Sequence, residues 1–168
     1  ARRPIADFNA HQRDLERFVY RSGQLMRPVF EVARRKRSRI AYAEGEDDRV
    51  LRAVQTVLDE DLAHPVLIGR EAVIAQKARA LGLRMDCAEA ITILDPLSDE
   101  DVFAKLRLPY QRLVERRGML PQAAERGLRD RHTVAAAMLL ADGQVDAALC
   151  GGVGDWLAWG ALGVPALG

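Results

Sequence analysis

Two stretches of the chain combine residues that can do chemistry with glycines that let a ligand come close. The first is AEGEDDRV, Ala43–Val50, in which Glu44, Gly45, Glu46, Asp47, Asp48 and Arg49 follow an apolar run. Gly45 permits a tight turn, Arg49 offers a phosphate a planar cation, and N–H groups at a helix start favour anions. The carboxylates oppose that use, because an incoming anion meets several like charges. Their competing role is to cap the helix and dress its surface. The second stretch is CGGVG, Cys150–Gly154, where Gly151 and Gly152 let backbone approach a ligand. It is no dinucleotide fingerprint, which would open a helix early in a βαβ unit, and no Walker loop, which needs a following Lys-Ser/Thr. Cys150 closes an apolar strand with no His near it in sequence, so a packed core thiol is expected. His132 sits at a helix start and reads as a neighbour of the cap. Trp156 and Trp159 have no partner that makes them a site.

Periodicity supplies the elements that must hold these stretches. Strands are predicted at Ile40–Ala43, Pro65–Gly69 and Ala90–Leu94, with a fourth, buried one in DAALC before the glycine loop. A helix capped by Asp47 or Asp48 carries the stripe Val50, Leu51, Val54, Val57, Leu58. Another starts near Glu71 with Val73, Ile74 and Ala78. Helices follow from Asp99 to about Arg117, interrupted near Pro109, and from Pro121. The run Val134–Ala141 is apolar nearly all round and must be buried on more than one side. Strands alternating with helices at this spacing define an α/β fold: a partial Rossmann-like parallel sheet with flanking helices.

A helical linker, residues 1–39, comes before the sheet. Leu15, Phe18 and Val19 make one apolar face, and Leu25, Met26, Val29 and Phe30 another, with Gly23 and Pro28 between. Such a connector packs on something.

The 168 residues are 49% hydrophobic and 29% charged, enough for one main core. The net charge of +1 conceals an asymmetry: residues 1–39 hold 11 Lys/Arg against 4 Asp/Glu, and the rest 14 against 20. The run RRKRSR, Arg34–Arg39, reads either as a phosphate or nucleic-acid patch or as the polar end of a linker helix. No aromatic residues interleave with it to stack on bases, so no nucleic-acid partner is expected. Two cysteines and three isolated histidines fit neither a disulfide framework nor a metal cluster. No run reaches the length of a membrane span, and a cytoplasmic setting is expected.

The order of these motifs resembles a known family. AYAEGEDDRVLRAVQTVLDEDLAHPVLIGREAVI is similar to the opening of the phosphotransacetylases, and YQRLVERRGMLPQAAERGLRDRHTVAAAMLLADGQVDAALCGG continues the match. The preface RRPIADFNAHQRDLERFVYRSGQLMRPVFEVARR looks like the junction in bacterial malic enzymes that carry a phosphotransacetylase-like domain at their C-terminus. The resemblance implies a linker (1–39), the first half of that domain (40–154) and a divergent tail (155–168) that truncation or a frameshift would explain. It implies an NADP-dependent parent enzyme that decarboxylates malate to pyruvate with Mg or Mn. This segment would then hold no catalytic residue, no metal and no cofactor of its own. It would bind acetyl-CoA or phosphate through Glu44, Gly45, Arg49, Gly151 and Gly152, as a regulatory domain of a homo-oligomer joined to the rest of the polypeptide. Phosphate acetyltransferase is the alternative activity. Active transferases of the family carry an Arg before the K-G of the helix, where this chain has Val114; Arg112 and Arg116 point elsewhere on a helix. The apolar face of Phe18, Val19, Met26 and Phe30, with a sheet lacking its later strands, predicts self-association, and a clean monomer by light scattering would count against it.

Overall fold

A computed structural model describes residues 26–84 and 90–151 of the chain. By compactness the chain divides into two units, Ala1–Lys36 and Arg37–Gly168. In the first, residues 26–36 form a helix, α1, on which Met26, Val29 and Val32 are exposed at a spacing of three.

The second unit runs β1 (Arg39–Tyr42), α2 (Asp48–Asp59), β2 (His64–Ile68), α3 (Glu71–Ala80), β3 (Thr92–Leu94), α4 (Glu100–Glu115), α5 (Pro121–Asp130), α6 (His132–Ala141) and β4 (Ala147–Leu149). The strands pair in parallel in the order β3-β2-β1-β4. From β1 the chain steps outward through β2 to β3, then crosses back over the sheet to β4 on the far side of β1. Right-handed crossovers therefore put α2 and α3 on one face and α4–α6 on the other.

The period-2 pattern of the strands serves both faces. Tyr42 and Leu67 join Leu51 and Val54 of α2 and Ile74 of α3 in one core. Ala41, Ala43, Val66 and Ile68 join Phe103, Leu106, Tyr110, Leu128 and much of α6 in the other. Residues Val134–Leu139 of α6 are all buried, as the all-round apolar run requires. Among the described residues no polar or charged side chain is fully buried.

Two expectations are corrected. Helix α4 continues through Pro109 instead of breaking there. Phe103, Leu106, Tyr110 and Val114 form a buried stripe along it, while Pro109 falls on the exposed side, where water can bond the carbonyl left without its N–H. Strand β4 is not buried: Leu149 is 52% exposed, because β4 pairs only with β1 among the described strands and ends the sheet. Cys150 is half-buried and packs against the α4–α6 core.

The basic run is divided by the fold. Arg37 pairs with Asp61, and Arg39 pairs with Asp146 at 3.2 Å. The Arg39 N–H also donates to the Asp146 carboxylate at 2.8 Å, so the amino ends of β1 and β4 are tied together.

Phe103, 1% exposed between α4 and the sheet, is the largest fully buried side chain among the described residues. Phe103→Ala is expected to cost about 3–5 kcal/mol in denaturant unfolding. A cost under about 1 kcal/mol would mean that α4 is not packed as described.

Candidate functional site

In an open parallel sheet, ligands bind outside the carboxyl ends of the strands where the winding reverses. Here that point lies between β1 and β4. A groove of about 310 Å³ opens there, with Tyr42, Val50, Ala53, Leu149 and Cys150 as its apolar walls and Glu44, Asp47 and Arg49 at its polar mouth. Burial pushes the Tyr42 phenol above its ordinary range.

The turn leaving β1 is held from several sides. The Gly45 N–H donates to the Ile68 carbonyl at 3.2 Å, and a Cβ on Gly45 would meet that oxygen at 2.7 Å, so only glycine fits. The Glu46 carboxylate takes the Arg70 N–H and Nε at 2.9 Å and Nη2 at 2.7 Å. The Lys77 ammonium donates to the Glu46 carbonyl at 2.7 Å and pairs with Asp48 at 3.0 Å. Hydrogen bonding from Arg70 holds the Glu46 carboxyl down to about 2. Asp47 caps α2 by accepting from the Arg49 N–H at 2.9 Å, and its carboxylate also takes the Arg49 guanidinium at 3.1 Å. That guanidinium lowers the Asp47 carboxyl below its usual range.

A second, more polar depression of about 260 Å³ lies outside β2 and β3, lined by Glu46, Arg70, Asp95, Arg129, Asp130 and His132 among others. Arg129 donates to the Pro96 carbonyl at 2.8 Å and to Glu100 at 2.6 Å, which pins the turn after β3. A larger hollow of about 390 Å³ sits at the opposite, amino end of β2. Its charges pair with one another, Arg37 with Asp61 and Arg84 with Asp59 at 3.4 Å. The carboxyl edge remains the candidate.

Glu44, Arg49 and Gly151 are brought together at that edge, the Glu44 carboxylate accepting from the Gly151 N–H at 2.8 Å. Gly45 instead lies against β2 and supports the turn. Gly152 lies outside the described residues. Arg70, Arg129 and the role of Glu46 were not singled out from sequence; the Gly69-Arg70 step after an apolar strand was the available signal. Val114 is 3% exposed in the α4–α6 core, so an Arg there would be buried without water, while Arg112 and Arg116 are exposed. Among the described residues no three His, Cys, Asp or Glu side chains are grouped to hold a metal ion. The turn into α2 carries Glu46, Asp47 and Asp48 and does not have the G-x-G-x-x-G spacing of a dinucleotide-binding turn. No described helix is long and apolar enough to cross a membrane.

A doubly wound parallel sheet with its groove at the switch point defines the class. The phosphate acetyl/butaryl transferase family model matches residues 24–156, and the chain belongs to that family. It is 41% identical over 159 residues to a NAD-dependent malic enzyme of Rhizobium meliloti, covering 90% of this chain and 20% of that enzyme. It is 38% identical over 156 residues to the NADP-dependent malic enzyme of Escherichia coli, covering 93% and 20%. The chain thus spans about one fifth of the length of these relatives, matching their phosphotransacetylase-like region. A phosphotransacetylase from Streptococcus pyogenes shares the fold, with a TM-score of 0.69 at 24% identity over 83% of this chain and 42% of that one.

Because the folded Glu46 carboxyl lies at about 2, below its ordinary 4.5, its contribution is full above pH 4.5 and fades as pH falls towards 2. Glu46→Gln should cost about 1–2 kcal/mol near pH 7, a figure discounted for the exposed Arg70, and the two proteins should converge in acid. Parallel stability curves from pH 7 to pH 2 would contradict this pairing.

Proposed function

We propose that this chain is the phosphotransacetylase-like portion of an NADP-dependent malic enzyme, regulatory rather than catalytic, with the groove between β1 and β4 as the place where acetyl-CoA acts. Oxidative decarboxylation of malate, with NADP and a divalent metal, belongs to the remainder of the polypeptide, in a cytoplasmic homo-oligomer. The observation that carries this reading is the match over nine tenths of the chain, at 41% and 38% identity, with malic enzymes about five times its length. The domain order follows the same reading, with a linker through residue 39, the half-domain to 154 and a divergent tail.

Geometry supports a ligand-sensing role over group transfer. Tyr42, Val50, Ala53 and Leu149 offer an apolar wall suited to an acyl thioester. Arg49 would have to leave the Asp47 carboxylate to take a phosphate, and Val114 supplies no cation. For the effector to regulate, it must bind two arrangements of the protein with different affinity. Phosphate acetyltransferase is the second reading, favoured by the family match over residues 24–156.

The full-length polypeptide decides between them. It should reduce NADP with malate, change that rate several-fold on adding acetyl-CoA, and form no acetyl phosphate from acetyl-CoA and phosphate. Acetyl phosphate formation would establish the second reading, and a malate-dependent rate indifferent to acetyl-CoA would remove the regulatory one.

A further inference from the structure

We propose that Glu44 is a positioning residue: its carboxylate ends the β1–β4 ladder and holds Gly151 in its left-handed conformation. This deepens the reading of the groove as an acetyl-CoA site, and its ligand arm rests on that reading.

The argument starts from the ladder. Ile40 faces Ala147, Ala41 faces Ala148 and Tyr42 faces Leu149 in parallel register. The Ala43 N–H then donates to the Leu149 carbonyl at 3.0 Å. A parallel ladder continued by one more step would have the Gly151 N–H donate to the Ala43 carbonyl. It donates instead to Glu44 Oε1 at 2.8 Å. A side-chain oxygen has replaced the backbone acceptor, and the strand stops there.

Glu44 can do this because its own backbone is fixed on both sides. Its carbonyl accepts from the Asp47 N–H at 3.0 Å, and the next residue, Gly45, is bonded to β2 through Ile68. Residues 44 and 45 therefore stitch the carboxyl ends of β2, β1 and β4 together. Gly151 answers with φ +97, a conformation that a side chain strains, although a Cβ there would meet nothing within 4 Å. The glycine is thus required by its backbone conformation rather than by lack of space. A carboxylate accepting a backbone N–H makes one of the stronger hydrogen bonds, and supported positioning groups of this kind hold a binding loop in its productive shape.

Gln keeps an acceptor oxygen at the same place and loses the charge, whereas Ala loses both. In the full-length enzyme, Glu44→Ala should weaken acetyl-CoA binding about tenfold and speed amide exchange at Gly151 about tenfold, the scale of one charge-assisted hydrogen bond. Glu44→Gln, which keeps a neutral acceptor with roughly half the strength of that bond, should lose only about threefold on both measures. Gly151→Ala should weaken binding as Glu44→Ala does, although Glu44 is intact. If Glu44→Gln loses affinity as fully as Glu44→Ala, Glu44 acts on the ligand through its charge and the proposal is wrong. Unchanged affinity or unchanged Gly151 exchange in Glu44→Ala would also overturn it. Should wild type bind no acetyl-CoA, the site reading fails, and the exchange comparison alone decides the role of Glu44.

Discussion

The pairing of β1 on both of its edges is the constraint from which the rest follows. Strand β1 is four residues long, yet it bonds to β2 on one side and β4 on the other. A strand in that position must present apolar groups to two faces, and it does so with Ala41 towards α4–α6 and Tyr42 towards α2. Small alanines on one face let the apolar helix α6 come close, and this is why that helix is buried through six consecutive residues. Reversing the winding at β1 also opens the crevice beside β4. Core and groove are consequences of the same pairing.

Electrostatics at the carboxyl edge follow from how tightly the chain must turn there. Glu44, Glu46, Asp47 and Asp48 crowd within one turn, and like charges that close would repel. The fold answers each with a donor: Gly151 for Glu44, Arg70 for Glu46, Arg49 for Asp47 and Lys77 for Asp48. These pairs are mostly solvent-exposed and individually modest. Their shared effect is directional, since Arg70 and Lys77 come from the β2–α3 unit and tie it to the turn after β1. The same pairing commits Arg49 to Asp47, which disfavours a phosphate at the helix start.

Much of the fold was legible because its signals are local. Asp47 is the cap of α2, Leu51 and Val54 are its buried face, and the apolar run of α6 is core on every side. Pro109 misled because a local breaker was outweighed by packing along Phe103, Leu106, Tyr110 and Val114. Leu149 misled in the opposite sense: an apolar strand reads as buried, but burial depends on a neighbour on its outer edge. Of the candidate site, the turn and the glycine loop were visible as compositions. Their contact was not, since Glu44 and Gly151 stand 107 residues apart.

What the amino-acid sequence determined by itself was the alternation of strand and helix, the caps and the need for glycine at tight turns. These depend on residues within a few positions of one another, where periodicity and backbone sterics act. Only the tertiary structure decided that β4 lies beside β1 rather than beyond β3, that Arg70 answers Glu46, and that Val114 faces the core instead of a ligand. Those outcomes come from closing long crossovers in one handedness, a choice that no short window of residues contains.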